Sequence, residues 1–168
     1  MGVEELFRAG EGFRKNIYLD TKGNRTVGTG LNVDDPVTAS FLPAEVVSGE
    51  RAITPEEDTA AVKARLDLGT NDARGFIGAN VFDSLEQGQR DGLVDMATNM
   101  GLSPDGKTKF NSFERLKAAL GRGDFQAAHD EVLDSGYAKD VGDRAKRNAM
   151  LIRGSQGALE SDLLRQLA

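Results

Sequence analysis

The sequence predicts a segregated α+β fold, with a small β-rich part followed by a larger helical part. Three observations predict it. A β-rich run, a turn-forming cluster and a second β-rich run read in succession as IYLD, TKGN and RTVGTG within residues 17–30. TPEE at residues 54–57 is a strong helix start. From Ser84 almost to the end the apolar spacing is helical, interrupted at glycine clusters. With 168 residues and 39% hydrophobic content, the chain can bury one compact core or two small lobes sharing a helix.

At the N-terminus, Val3, Leu6, Phe7 and Gly10 recur at helical spacing and predict a short helix over about 1–12. Gly10 and Gly12 weaken it where Glu11 sits, so Glu11 is expected at a helix end. The β-rich lobe follows, over about 13–53, and its hairpin has two open registers. A loop of 21–24 sets Asp20 opposite Arg25, whereas a loop of 21–25 sets Asp20 opposite Thr26. Residues 32–51 carry two prolines and mixed polarity and read as loop with room for a short helix.

In the linking helix, expected over about 54–80, Thr54 can cap, Pro55 suits the first helical position and Glu57 closes the S/T-x-x-E box. Gly69 marks either an interruption or a point where the helix continues. The helical lobe takes residues 81–168 together with the N-terminal helix, with breaks expected at Gly101–Gly106, Gly121–Gly123 and Gly136–Gly142. Leu116, Ala119 and Leu120 mark a buried stripe. Met96, Met100, Phe110 and Phe113 read as packing residues and His129 as a surface or boundary residue. The whole is expected to be a single domain with a cleft between its lobes.

Composition narrows the chemistry. Cysteine is absent and His129 is the one histidine, so disulfides, thiolate zinc sites, histidine metal clusters and Ser-His-Asp triads lack their parts. Carboxylate chemistry remains. A net charge of −6, from 21 basic and 27 acidic residues, argues against nucleic acid as partner. The start, MGVEELFRAGEG, has no long apolar run and reads as neither a secretory signal nor an anchor.

The constellation E-G-x(7)-D-x-x-G-x-x-T-x-G-x-G, formed by Glu11, Gly12, Asp20, Gly23, Thr26, Gly28 and Gly30, resembles the phage-type lysozymes, the muramidases of glycoside hydrolase family twenty-four that include bacteriophage endolysins. FDSLEQGQRDGLVDMATNMG is similar to the family's helix ending in an N-x-G turn, and DRAKRNAMLIRG continues the match. The resemblance implies a lysozyme-like fold and cleavage of the β-1,4 bond between N-acetylmuramic acid and N-acetylglucosamine, with no metal or organic cofactor required. It implies Glu11, Asp20 and Thr26 as catalytic, with Asn99 and Arg144 as substrate-binding, Arg144 also partnering the catalytic glutamate. The implied partner is bacterial peptidoglycan, met by a monomer made in the host cytoplasm. Access to the wall then requires a membrane-permeabilising partner or carriage in the virion. Two departures stand out: Leu31 replaces the family's histidine, and the chain is acidic where many relatives are basic.

The residues fit that chemistry on their own terms. Glycosidic cleavage needs one protonated carboxyl for the leaving oxygen and one ionised carboxylate for the opposite face. A partly desolvated glutamate at a helix end is the better acid, and an aspartate in a wetter hairpin stays ionised. If the loop of 21–25 makes Asp20 and Thr26 cross-strand neighbours, the two can hold one water between them opposite Glu11, which predicts an inverting reaction. Two other readings are a lytic transglycosylase, against which Asp20 and Thr26 argue, and a non-catalytic wall-binding or virion-structural module, against which Glu11 argues.

Overall fold

The computed structural model of the protein describes residues 2–8, 12–102 and 109–167, and the side chains of all of these except residues 6, 7 and 156–167. The expected position of Glu11 at a helix end and the glycine break near residue 106 fall on residues outside the described ones. The fold is α+β, and the chain divides into two compact units, residues 3–68 and residues 69–168.

In the first unit, helix α1 (Val3–Arg8) precedes strands β1 (Arg14–Leu19), β2 (Arg25–Gly28) and β3 (Leu31–Asn32), which form an antiparallel sheet in the order β1-β2-β3. Val27 and Leu31 pair across β2 and β3, and both are buried, so they anchor the sheet to the unit's core. Residues 32–51 hold more structure than their composition suggested. Helix α2 (Pro36–Ala39) starts at Asp35, whose carboxylate accepts from the Thr38 N–H at 3.0 Å and the Thr38 hydroxyl at 2.6 Å. Helix α3 (Ala44–Ser48) follows Pro43 and stops at Gly49 in the left-handed region. Both prolines therefore initiate helices, where their fixed φ and missing N–H are harmless, instead of breaking them.

Helix α4 (Pro55–Ile77) opens with the expected capping box. The Glu57 N–H donates to Thr54 Oγ1 at 3.2 Å, and the Thr54 N–H donates back to Glu57 Oε2 at 3.0 Å. Arg51 adds a bidentate pair at 2.9 and 2.7 Å. The Arg51 hydrogen bonds, followed by those from Thr54, lower the Glu57 carboxyl from 4.5 to about 2. A depressed acid stabilises the fold above its unfolded value and loses that contribution as pH falls towards its folded one. Thermal unfolding of Glu57→Gln against the parent is thus expected to show a destabilisation above about pH 5 that shrinks between pH 4.5 and 2. A difference constant across that window would contradict it.

Helix α4 runs through Gly69 without interruption and enters the second unit, where α5 (Ala79–Ser84) and α6 (Gln87–Met100) follow. A Cβ at Gly69 would lie 2.0 Å from Thr98 Oγ1 and 3.2 Å from the Thr98 backbone nitrogen, whereas one at Gly75 meets nothing within 4 Å. Two glycines in one helix thus predict opposite signs. Gly69→Ala should destabilise by about 1–3 kcal/mol through overpacking, and Gly75→Ala should stabilise by about 0.5–1 kcal/mol through backbone entropy. Urea denaturation of both variants checks this, and like signs would refute it.

A 3-10 turn (Phe110–Ser112), α7 (Glu114–Gly121), α8 (Phe125–Leu133), α9 (Gly136–Val141) and α10 (Asp143–Leu167) complete the second unit. Leu116, Ala119 and Leu120 are buried as the stripe required, and so are Met96 and Phe110. Phe110 meets the edge of Phe76 with ring centroids 5.5 Å apart. Met100 and Phe113 are only partly buried, and His129 sits at the boundary beside Asp130. The stretch 136–142 is a correction: it is a short helix, not a break. Ser135 accepts from the Ala138 N–H at 3.2 Å to start α9, and Gly142, at φ 55°, ends it. Helix α10 kinks at Gly154, whose φ of 66° and ψ of −174° are non-helical.

Candidate active site

The hairpin places Asp20 and Thr26, but in neither of the two expected registers. Leu19 stands opposite Arg25, Tyr18 opposite Thr26, and the Asp20 N–H donates to the Asn24 carbonyl at 3.0 Å. Asp20 therefore opens the turn opposite Asn24. The reason is local. Asp20 Oδ1 accepts from the Lys22 and Asn24 N–H groups at 2.9 and 2.8 Å, and Oδ2 accepts from Asn24 Nδ2 at 3.0 Å. A carboxylate that satisfies its own turn closes the loop early. By strand alternation, Asp20 shares a face with Tyr18 and so with Thr26, as a diagonal instead of a directly opposed neighbour.

The same donors set the charge of Asp20. Its carboxyl is held below the ordinary 3.8, first by the side-chain amide of Asn24 and then by the Asn24 backbone N–H. Thr26 is 3% exposed, and its hydroxyl donates to the Asn24 carbonyl at 3.2 Å. Asn24, read from sequence only as part of the TKGN turn, thus touches both residues. Glu11 lies outside the described residues.

Sequence reasoning also missed Asp58, buried in the first turns of α4. Its Oδ1 accepts from the Thr29 N–H at 2.7 Å, and its Oδ2 accepts from the Thr29 hydroxyl at 2.8 Å and from Arg8 at 3.0 Å. A Cβ on Gly28 would fall 2.1 Å from Asp58 Oδ1. Gly28 is bare because this carboxylate occupies the space.

In the second unit, Arg144, in the first turn of α10, forms a two-pronged pair with Asp95 of α6, through Nε at 2.9 Å and a terminal nitrogen at 2.7 Å. Asp95 is fully buried, and its Oδ2 also accepts from Asn148 Nδ2 at 2.7 Å. Asn148 Nδ2 in turn lies 3.0 Å from the Tyr137 hydroxyl. Burial, with the Asp95 charge second, pushes the Tyr137 phenol up to about 12. Gly92 makes this possible, because a Cβ there would meet the Asn148 carbonyl at 3.1 Å and Ile152 at 3.2 Å. Asp95, one turn along α6, then reaches Arg144 and Asn148, which are themselves one turn apart on α10. Asn99 is exposed in the last turn of α6, four residues beyond Asp95 and so on the same side of the helix.

The missed signal was charge inside an apolar segment. An aspartate flanked by Val94 and Met96 in a buried helix is almost never unpaired. What the sequence could not supply was the partner.

Residues 8–152 match a family model described as Phage lysozyme. The pre-baseplate central spike protein Gp5 of Enterobacteria phage T4 is 28% identical over 172 aligned residues, an alignment that takes in 96% of this chain. The chain spans 29% of the length of that relative.

Proposed function

Since the chain belongs to the phage lysozyme family, which hydrolyses peptidoglycan, we propose that it cleaves the β-1,4 bond between N-acetylmuramic acid and N-acetylglucosamine by a single displacement that inverts the anomeric centre. The observation that carries this reading is the family match across residues 8–152, a span that contains Glu11, Asp20, Thr26, Asn99 and Arg144. Glu11 is the general acid. Asp20 is the ionised carboxylate that, with Thr26, orients the attacking water. Asn99 and Arg144 supply polar contacts to the substrate.

Two features of the hairpin support a water-mediated step. Both Asp20 oxygens already accept hydrogen bonds from the turn, which blunts direct attack on a sugar carbon. The Thr26 hydroxyl spends its proton on the Asn24 carbonyl, so towards a water it acts as acceptor. A water donating one hydrogen to Asp20 and the other to Thr26 keeps its lone pairs free for the sugar. The relative's place in a phage spike favours a virion over a membrane-permeabilising protein as the partner that brings this chain to the wall.

Turbidity clearing of purified sacculi, followed by NMR of fresh products, tests the proposal. The α-anomer of the new reducing end is expected first. Initial β-anomer, or a trapped glycosyl-enzyme, would overturn inversion and leave family membership untouched. Anhydro-sugar products would point to the transglycosylase reading.

A further inference from the structure

Within the first unit, the Asp58 cluster is built more completely than a helix start requires. Thr54 and Glu57 already cap α4, so Asp58 is not needed for that purpose. Its two oxygens instead take three donors from two other elements: the Thr29 N–H, the Thr29 hydroxyl and Arg8. The Thr29 hydroxyl donates to Asp58 and accepts from Arg8 at 3.0 Å, which closes a triangle of hydrogen-bonded groups. Arg8 reaches further to Thr59 at 3.5 Å and Glu4 at 3.1 Å, and its side chain is 30% exposed against 2% for Asp58.

The three elements joined here matter for their place in the chain. Arg8 is the last residue of α1, three positions before Glu11, and Thr29 follows the strand that carries Thr26. A buried carboxylate with fixed partners is rigid, because releasing any one of them leaves an unsatisfied charge. We propose that Asp58 is a positioning residue for the hydrolysis, acting through Arg8 to hold the end of α1 against the turn after β2, three residues before Glu11 in the sequence. This inference rests on the assignment of Glu11 as the general acid.

The test uses two variants that cut the same link from opposite sides. Asp58→Asn keeps the volume and an acceptor for the Thr29 N–H, but its amide presents hydrogens where Arg8 donates. Arg8→Gln leaves the Asp58–Thr29 contacts in place. On soluble peptidoglycan oligosaccharides, each full-length variant is expected to lose about ten- to a hundredfold in kcat with KM within about twofold, the loss typical of a misplaced catalytic group. The double variant should lose no more than the worse single one, since both break one connection. In parallel, NMR resonances of Glu11 should move in both singles. Should Asp58→Asn fail to fold, Arg8→Gln carries the test alone, because its side chain is partly exposed.

Equal kcat in folded variants, additive losses in the double, or unmoved Glu11 resonances would overturn the positioning role. An inactive parent would count against the hydrolase reading, and the Glu11 resonances would still decide whether Arg8 and Asp58 anchor this segment.

Discussion

Glu11→Gln is expected to reduce the rate of sacculus clearing by about 10²- to 10⁴-fold, with a thermal midpoint close to that of the parent. The amide keeps the size and most of the hydrogen bonding of the carboxylic acid but has no proton acidic enough to deliver to a leaving sugar oxygen. Asp20 does not replace it. Its carboxyl is held below the ordinary carboxylate value by hydrogen bonds from Asn24, so at neutral pH it has no proton to give. Folding and catalysis should therefore separate in this variant, with circular dichroism and melting unchanged while clearing fails. Retention of more than about a tenth of parental turnover is inconsistent with removal of a general acid and would reassign that role.

The second large effect concerns stability. Asp95→Ala should destabilise the protein by about 3–5 kcal/mol, the cost of breaking a buried ion pair from one side. Asp95 has no exposed side-chain surface, so deletion leaves a hole as well as two stranded donors. Arg144, 18% exposed, can recover part of its hydration, which moves its share towards the low end. Asn148 is fully buried and cannot, which adds the cost of an unmet amide donor. At roughly 2–4 °C per kcal/mol for a chain of this size, the midpoint should fall by about 10 °C. Asp95→Asn should cost less, because it retains the volume and one acceptor. A loss below about 1 kcal/mol for the alanine variant in urea titration would contradict a cost of this size for stranding Arg144 and Asn148.

Features that depend on residues close together in the chain were legible in advance. TPEE specified the start of α4 because Thr54 and Glu57 are three residues apart and satisfy each other's backbone groups without outside help. The stripe of Leu116, Ala119 and Leu120 followed from helical periodicity alone. The order of Glu11, Asp20 and Thr26 with their glycines, together with FDSLEQGQRDGLVDMATNMG and DRAKRNAMLIRG further along, pointed to the phage lysozyme family. Where local rules compete, they decided less. Gly136 and Gly142 bracket a helix instead of breaking one, because a serine cap outweighed the glycine penalty. The hairpin register turned on whether Asp20 would pair across the strands or fold its carboxylate into its own turn, a contest between hydrogen bonds of similar strength.

The sequence by itself determined the succession of a β-rich part and a helical part, the start of α4 and the buried stripe of α7, since these are written in short-range spacing. Only the tertiary structure decided the partners of the buried charges. Asp58 meets Thr29 and Arg8 across 29 and 50 residues, and Asp95 meets Arg144 and Asn148 across 49 and 53. Gly28, Gly69 and Gly92 likewise show their purpose only once a carboxylate or a second helix has come to rest against them. A buried carboxylate must find donors wherever packing puts them, and no periodicity along the chain records that choice.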